Sequence, residues 1–171
     1  MDLHTLIRDI ADYPKPGIVF KDISPLLKSP AGLAMAVEQM ANPYRGMGVE
    51  LVCGAESRGF IFGTAIAQAL SAGFVPIRKP GKLPYDTHAM EYDLEYGTDT
   101  LEIHTDAVKP GQKVLMVDDL LATGGTMQAC CELVNKLGGE IVGVTVLIEL
   151  SFLQGRAKLN PYGEAHAVLT Y

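Results

Sequence analysis

The apolar residues of this chain fall into short unbroken runs separated by longer stretches with helical spacing. Runs at residues 50–53, 74–77, 114–117 and 141–147 read as buried strands, because both faces of each are apolar. Between them, residues 60–70 predict an almost wholly apolar helix, and residues 126–137 a helix with Met127, Cys130, Val134 and Leu137 on one face. Residues 30–40 predict another, with Leu33, Ala36, Val37 and Met40 on one side and Pro30 in the first turn, where its missing N–H costs nothing. At the start of the chain, Leu3, Ile7, Ile10 and Ala11 are spaced for a short amphipathic helix that stops before Pro14 and Pro16. The segment PKPGIVFKDISPLL that follows is irregular, its large apolar residues set among prolines as a cover over something else. Residues 81–104 read as an exposed loop leading into a β-hairpin around the turn-like GTD, a candidate lid, and residues 161–171 hold a plausible last strand. Strands alternating with helices give an α/β class: a central, mostly parallel sheet flanked by helices.

A chain of 171 residues, 48% hydrophobic and 20% charged, supports one compact domain with a sizeable core. Its 14 Lys+Arg against 20 Asp+Glu leave a net charge of -6, so no global field draws it to nucleic acid or to an anionic membrane. An anionic ligand has to be held by a local arrangement. The three cysteines form no framework, and Cys130 and Cys131 are adjacent, which suits reduced thiols in a cytoplasmic protein. The apolar stretch at 65–77 is interrupted by Gln68, Ser71, Gly73 and Pro76, and the N-terminus carries Asp2, His4, Arg8 and Asp9, so neither a membrane span nor a targeting segment is expected. His4, His104 and His166 show no metal-ligand spacing, and His88 reads as a solvated loop residue.

The most informative segment is VLMVDDLLATGGT, residues 114–126: a buried strand, two carboxylates, then a Thr-Gly-Gly-Thr turn opening a helix. Gly124 and Gly125 permit positive φ and let backbone N–H groups converge on an anion. Thr123 and Thr126 add hydroxyls, and the helix N-terminus carries roughly +0.5 charge. Asp118 and Asp119 would repel a phosphate unless the ligand also brings neutral donors. Vicinal ribose hydroxyls fit, with a 5'-phosphate in the loop one sugar-length away. A bare DD or TGGT reads as a tight turn; the whole strand-acid-acid-loop-helix unit reads as a phosphate site. Arg78, Lys79 and Lys82 place three basic residues straight after a buried strand, either a solvated loop or a second anion contact.

These residues resemble the type I phosphoribosyltransferases. The resemblance runs from PGIVFKDISPLL through ESRGF, RKPGKLP, LEYGTDTLEIHTDAVKPG and VDDLLATGGT to GRAKL, and the GIVFKDISP and LEYG segments narrow it to members that act on adenine. It implies one domain with an N-terminal hood at about 1–28 and a lid and hairpin at about 81–104. It implies purine salvage: adenine and phosphoribosyl diphosphate (PRPP) give AMP and diphosphate, with Mg²⁺ held mainly by PRPP and water. By that resemblance Asp118 and Asp119 bind the ribose hydroxyls, and Ala122, Thr123, Gly124, Gly125 and Thr126 bind the 5'-phosphate. Glu56, Ser57 and Arg58 look like the diphosphate loop, with a cis peptide between Glu56 and Ser57, and Arg78, Lys79, Lys82 and Tyr96 would contact the diphosphate. Val19, Phe20 and Leu120 would form the adenine pocket, with Arg58 near the other edge of the ring, and Glu95 would be the catalytic residue at purine N7. A homodimer is implied, Arg78 reaching the neighbouring subunit's site.

Two alternatives share the fold. One is a transferase for another base, such as guanine, xanthine or orotate. The other is a PRPP-sensing regulator that binds nucleic acid, which the acidic balance, the absence of a basic arm and the hairpin glutamate weigh against.

Overall fold

The computed structural model describes residues 1–94 and 96–171. Five parallel strands form the centre: β3 (Leu51–Ala55), β4 (Gly73–Ile77), β7 (Lys113–Leu121), β8 (Glu140–Glu149) and β9 (Ala165–Thr170). Their spatial order is β4-β3-β7-β8-β9. Helices α1 (Ser24–Lys28), α2 (Pro30–Ala41) and α3 (Arg58–Ala69) cover one face, and α4 (Gly125–Lys136) the other. Alternate side chains of β7 serve the two cores: Val114 and Met116 pack towards α4, and Leu115 and Val117 towards α2 and α3. That two-sided burial is why the strands read as unbroken apolar runs. Among the described residues no helix is long and apolar enough to cross a membrane.

The N-terminal helix expected from Leu3, Ile7, Ile10 and Ala11 is not formed. Asp2 caps a single 3₁₀ turn at Leu3–Leu6, and the chain then extends as β1 (Arg8–Ala11), antiparallel to β2 (Val19–Asp22). Four apolar positions are too few to separate the two periods, and the partner strand decides between them. Ile10 lies opposite Phe20, and Lys21 reaches Asp9 at 2.7 Å. The reversal is made by Asp12 in the left-handed region (φ 55°), whose carboxylate accepts the Gly17 N–H at 2.8 Å, and by the cis Tyr13–Pro14 peptide. The segment expected to be irregular thus contributes β2 and α1, and its Ile23 and Leu26 are buried under α2 and α3.

The hairpin consists of β5 (Thr87–Asp93) and β6 (Thr98–His104). Leu101 and Ile103 anchor it in the core on the α4 side, and Arg78 bridges it by backbone to Glu102. Its base is therefore built into the fold, while Leu94 and Tyr96 stand exposed at its tip.

Candidate active site

From β3 the chain passes through α3 to β4, one place towards one edge of the sheet. From β7 it passes through α4 to β8 and β9, towards the other. Because α3 and α4 lie on opposite faces, the connections after β3 and β7 diverge and leave a crevice at the C-terminal ends of these neighbouring strands, where ligands bind in open α/β sheets. A cleft of about 440 Å³ opens there. Ser57, Arg58, Lys79, Asp118, Asp119, Leu120 and all five residues from Ala122 to Thr126 line it. Both helices that start at the cleft are open at their N-termini: neither Ser57 before α3 nor Gly124 before α4 caps its helix with a side chain. Two positive helix ends and their free N–H groups face one space, which favours an anion. Gly124 has φ 87°, a conformation that turns the loop into α4 and that side chains disfavour.

The two carboxylates differ. Asp119 is only 7% exposed, and its charge is compensated by Arg58, whose Nε lies 2.5 Å from Oδ2. The Asp119 N–H donates to Asp118 Oδ1 at 2.8 Å. Asp118 forms no ion pair among the described residues, and burial, then the neighbouring Asp119 carboxylate, push its carboxyl well above the ordinary range. A ligand that donates hydrogen bonds to Asp118 relieves an acid the fold holds at a cost.

Arg58 leans towards β2 as well as towards Asp119. Its guanidinium sits 5.5 Å from the centre of the Phe20 ring, which also packs edge-on against Tyr13 at 5.2 Å. Val19, at the end of β2 opposite Ala11, is exposed, and Leu120 is half-buried in the cleft wall. The Glu56–Ser57 peptide is cis.

The basic residues are not all gathered. Lys79 lines the cleft, its N–H donating to Glu56 Oε1 at 2.7 Å and its Nζ 2.5 Å from Asp99 Oδ2; that hydrogen bond raises its ammonium pKa. Arg78 turns back into its own chain, Nε 3.3 Å from Glu56 Oε1 and its guanidinium 5.7 Å from the Phe60 ring. Lys82 is exposed outside the lining, and Tyr96 is 77% exposed with Lys15 Nζ 5.1 Å from its ring. Glu95 lies outside the described residues. Sequence reasoning missed Asp99, one carboxylate among twenty Asp and Glu, which only the pairing of the hairpin brings to Lys79. It also gave no role to Gly155 and Arg156, although GRAKL was among the matching segments.

Residues 27–164 match the family described as phosphoribosyl transferase domain. An adenine phosphoribosyltransferase of Rhodopirellula baltica is 58% identical over all of this chain and 82% of its own length. The crystal structure of adenine phosphoribosyltransferase from Rhodothermus marinus superposes with a TM-score of 0.94 at 51% identity, covering 99% of this chain and 96% of that one. The enzyme of Giardia lamblia, solved in complex with 9-deazaadenine, superposes with a TM-score of 0.94 at 39% identity, covering 99% and 96%. Matched over its whole length at this identity, the chain that carries the switch-point cleft, the paired acids and the glycine loop belongs to the type I phosphoribosyltransferase family, among the adenine phosphoribosyltransferases.

Proposed function

We propose that this chain transfers the phosphoribosyl group of PRPP to N9 of adenine in purine salvage, releasing AMP and diphosphate, and that the residues of the switch-point cleft do the work. The observation that carries the reading is the juxtaposition of two unlike carboxylates with an uncapped, glycine-led helix start. The N–H groups of Ala122 to Thr126, with the Thr123 and Thr126 hydroxyls, take the 5'-phosphate. Asp118 and Asp119 accept from the ribose hydroxyls, Asp119 being held in place by Arg58. Ser57, at the open end of α3, and Lys79, just after β4, face the diphosphate; Lys82 and Tyr96 join on closure of the hairpin, and Arg78 reaches the neighbouring subunit's site.

The C1'–O bond to diphosphate breaks as the N9–C1' bond forms, through an oxocarbenium-like transition state. The cleft therefore has to stabilise a leaving anion and hold the sugar still. Glu95 takes at N7 the proton that the base loses. Phe20 and Leu120 sandwich the purine, and main-chain groups of Val19 meet its Watson-Crick edge. A fixed carbonyl there accepts from a 6-amino group and repels a 6-oxo oxygen, a discrimination worth about 1 to 3 kcal/mol.

The donor set suits Mg²⁺: among the described residues Asp118 offers hard oxygen outside any ion pair, and no cluster of three ligating side chains forms a protein cage. When bound, Mg²⁺ would be held mainly by PRPP oxygens and water, with Asp118 the side chain placed to support it, and would neutralise diphosphate charge. Homodimerisation and a cytoplasmic setting complete the reading, the latter supported by three free, buried cysteines.

The test is calorimetric titration with PRPP. Binding is expected with Mg²⁺ present and to weaken by about tenfold or more in EDTA. Excess double-stranded DNA should leave it unchanged; equal affinity for DNA and PRPP would sink the reading.

A further inference from the structure

The phosphate loop does not stand alone. Its Gly124 lies against the backbone of Gly155, at the start of the 3₁₀ segment Gly155–Tyr162. A Cβ on Gly124 would sit 2.5 Å from the Gly155 carbonyl oxygen. A Cβ on Gly155 would run into the Ala122 carbonyl oxygen and lie 3.0 Å from the Gly124 nitrogen. Each added Cβ, fixed by its own backbone, would meet backbone atoms, so no rotamer change can relieve the contact.

Gly155 is held from behind. Arg156 forks onto Glu149, Nε to Oε1 at 3.1 Å and Nη2 to Oε2 at 2.5 Å, and its Nη1 donates to the Ala165 carbonyl. Glu149, 6% exposed, is the last residue of β8 and lies in register with Leu121, the last of β7. The Leu150 N–H donates to the Leu121 carbonyl at 2.9 Å. The loop's entry and its support are thus referred to the same strand end.

We propose that Gly155 is a positioning residue for the 5'-phosphate, its backbone the floor that sets residues 122–124, and that the Glu149–Arg156 fork keeps this floor in place. The proposal rests on the reading that residues 122–126 hold that phosphate. It requires no contact between Gly155 and the ligand: an added methyl displaces the loop, and the N–H groups lose their convergence.

The experiment compares two probes, ribose 5-phosphate and inorganic diphosphate, by calorimetry on the full chain, with melting temperature measured alongside. In Gly155→Ala, affinity for ribose 5-phosphate falls by about tenfold or more, while affinity for diphosphate changes by less than about twofold. Arg156→Lys keeps the charge and loses the fork, and shows the same split at about threefold to fivefold, so the test survives if Gly155→Ala does not fold. Equal weakening of both probes in step with a lower melting temperature overturns the proposal, as does unchanged ribose 5-phosphate binding. Thr126→Val separates the two readings: if it leaves ribose 5-phosphate binding intact, the loop assignment itself is wrong. If it weakens binding and neither Gly155→Ala nor Arg156→Lys does, only the positioning role fails.

Discussion

Replacing Glu95 by Gln lowers kcat by about 10²- to 10⁴-fold, the range that general acid-base groups contribute. Adenine must lose a proton as N9 becomes glycosylated, and the resemblance assigns that proton to the glutamate at the hairpin tip. Gln keeps the size and hydrogen-bonding reach of Glu but has no basic oxygen. The melting temperature stays within about 2 °C, since Gln matches Glu in size and shape. Stopped-flow or steady-state measurement checks this, and full activity in Glu95→Gln removes the residue from the mechanism.

Asp118→Asn weakens PRPP binding by about 10- to 100-fold, the loss of a hydrogen bond to a charged acceptor at 1.5 to 3 kcal/mol. The same substitution stabilises the unliganded protein at the pH values where Asp118 is forced to ionise. Asp118 titrates well above its ordinary value of 3.8 because burial and Asp119 disfavour its charge. An acid with a raised folded pKa contributes stability that is full below the unfolded value and is lost as pH rises through the folded one. Asn cannot ionise and still accepts the Asp119 N–H, so it escapes that loss. The gain in melting temperature grows as pH rises through the raised folded-state pKa and closes towards the ordinary carboxylate range. A gap that does not vary with pH, or a less stable variant throughout, contradicts the assignment of strain to this carboxylate.

The sheet was legible because a strand buried on both faces leaves a short run of apolar residues, and the near-apolar segment at residues 60–70 is told from it by its length. The same reading shortened β7. Expected to end at Val117, it continues to Leu121, because Asp118 and Asp119 interrupt the hydrophobic run without interrupting the ladder to β8. Hydrophobicity registers residues that avoid water, and a buried acid held by Arg58 is invisible to it. The hairpin turn was set at GTD, yet Thr98 and Asp99 belong to β6, opposite Asp93 and Tyr92. Pairing register sets those boundaries.

For the site, the legible part was local: Asp118 to Thr126 is one continuous segment whose residues need no folding to be neighbours. Contacts across long separations were not legible. Arg58 meets Asp119 across 61 residues and Lys79 meets Asp99 across 20, and no periodicity records either. The support of Gly124 by Gly155 leaves still less trace, since glycines in loops have many reasons to occur. What the chain does not encode locally is the convergence of β3 and β7 at one switch point, a property of the sheet order.

Adenine transfer is tested most directly by the initial rate of diphosphate release from PRPP with Mg²⁺, each base supplied separately. Rapid release is expected with adenine, AMP formed in equal amount, and rates at least about tenfold lower with hypoxanthine, guanine, xanthine and orotate, whose 6-oxo or carboxylate groups meet the wrong main-chain partner. Turnover of hypoxanthine or guanine with none of adenine would contradict adenine transfer.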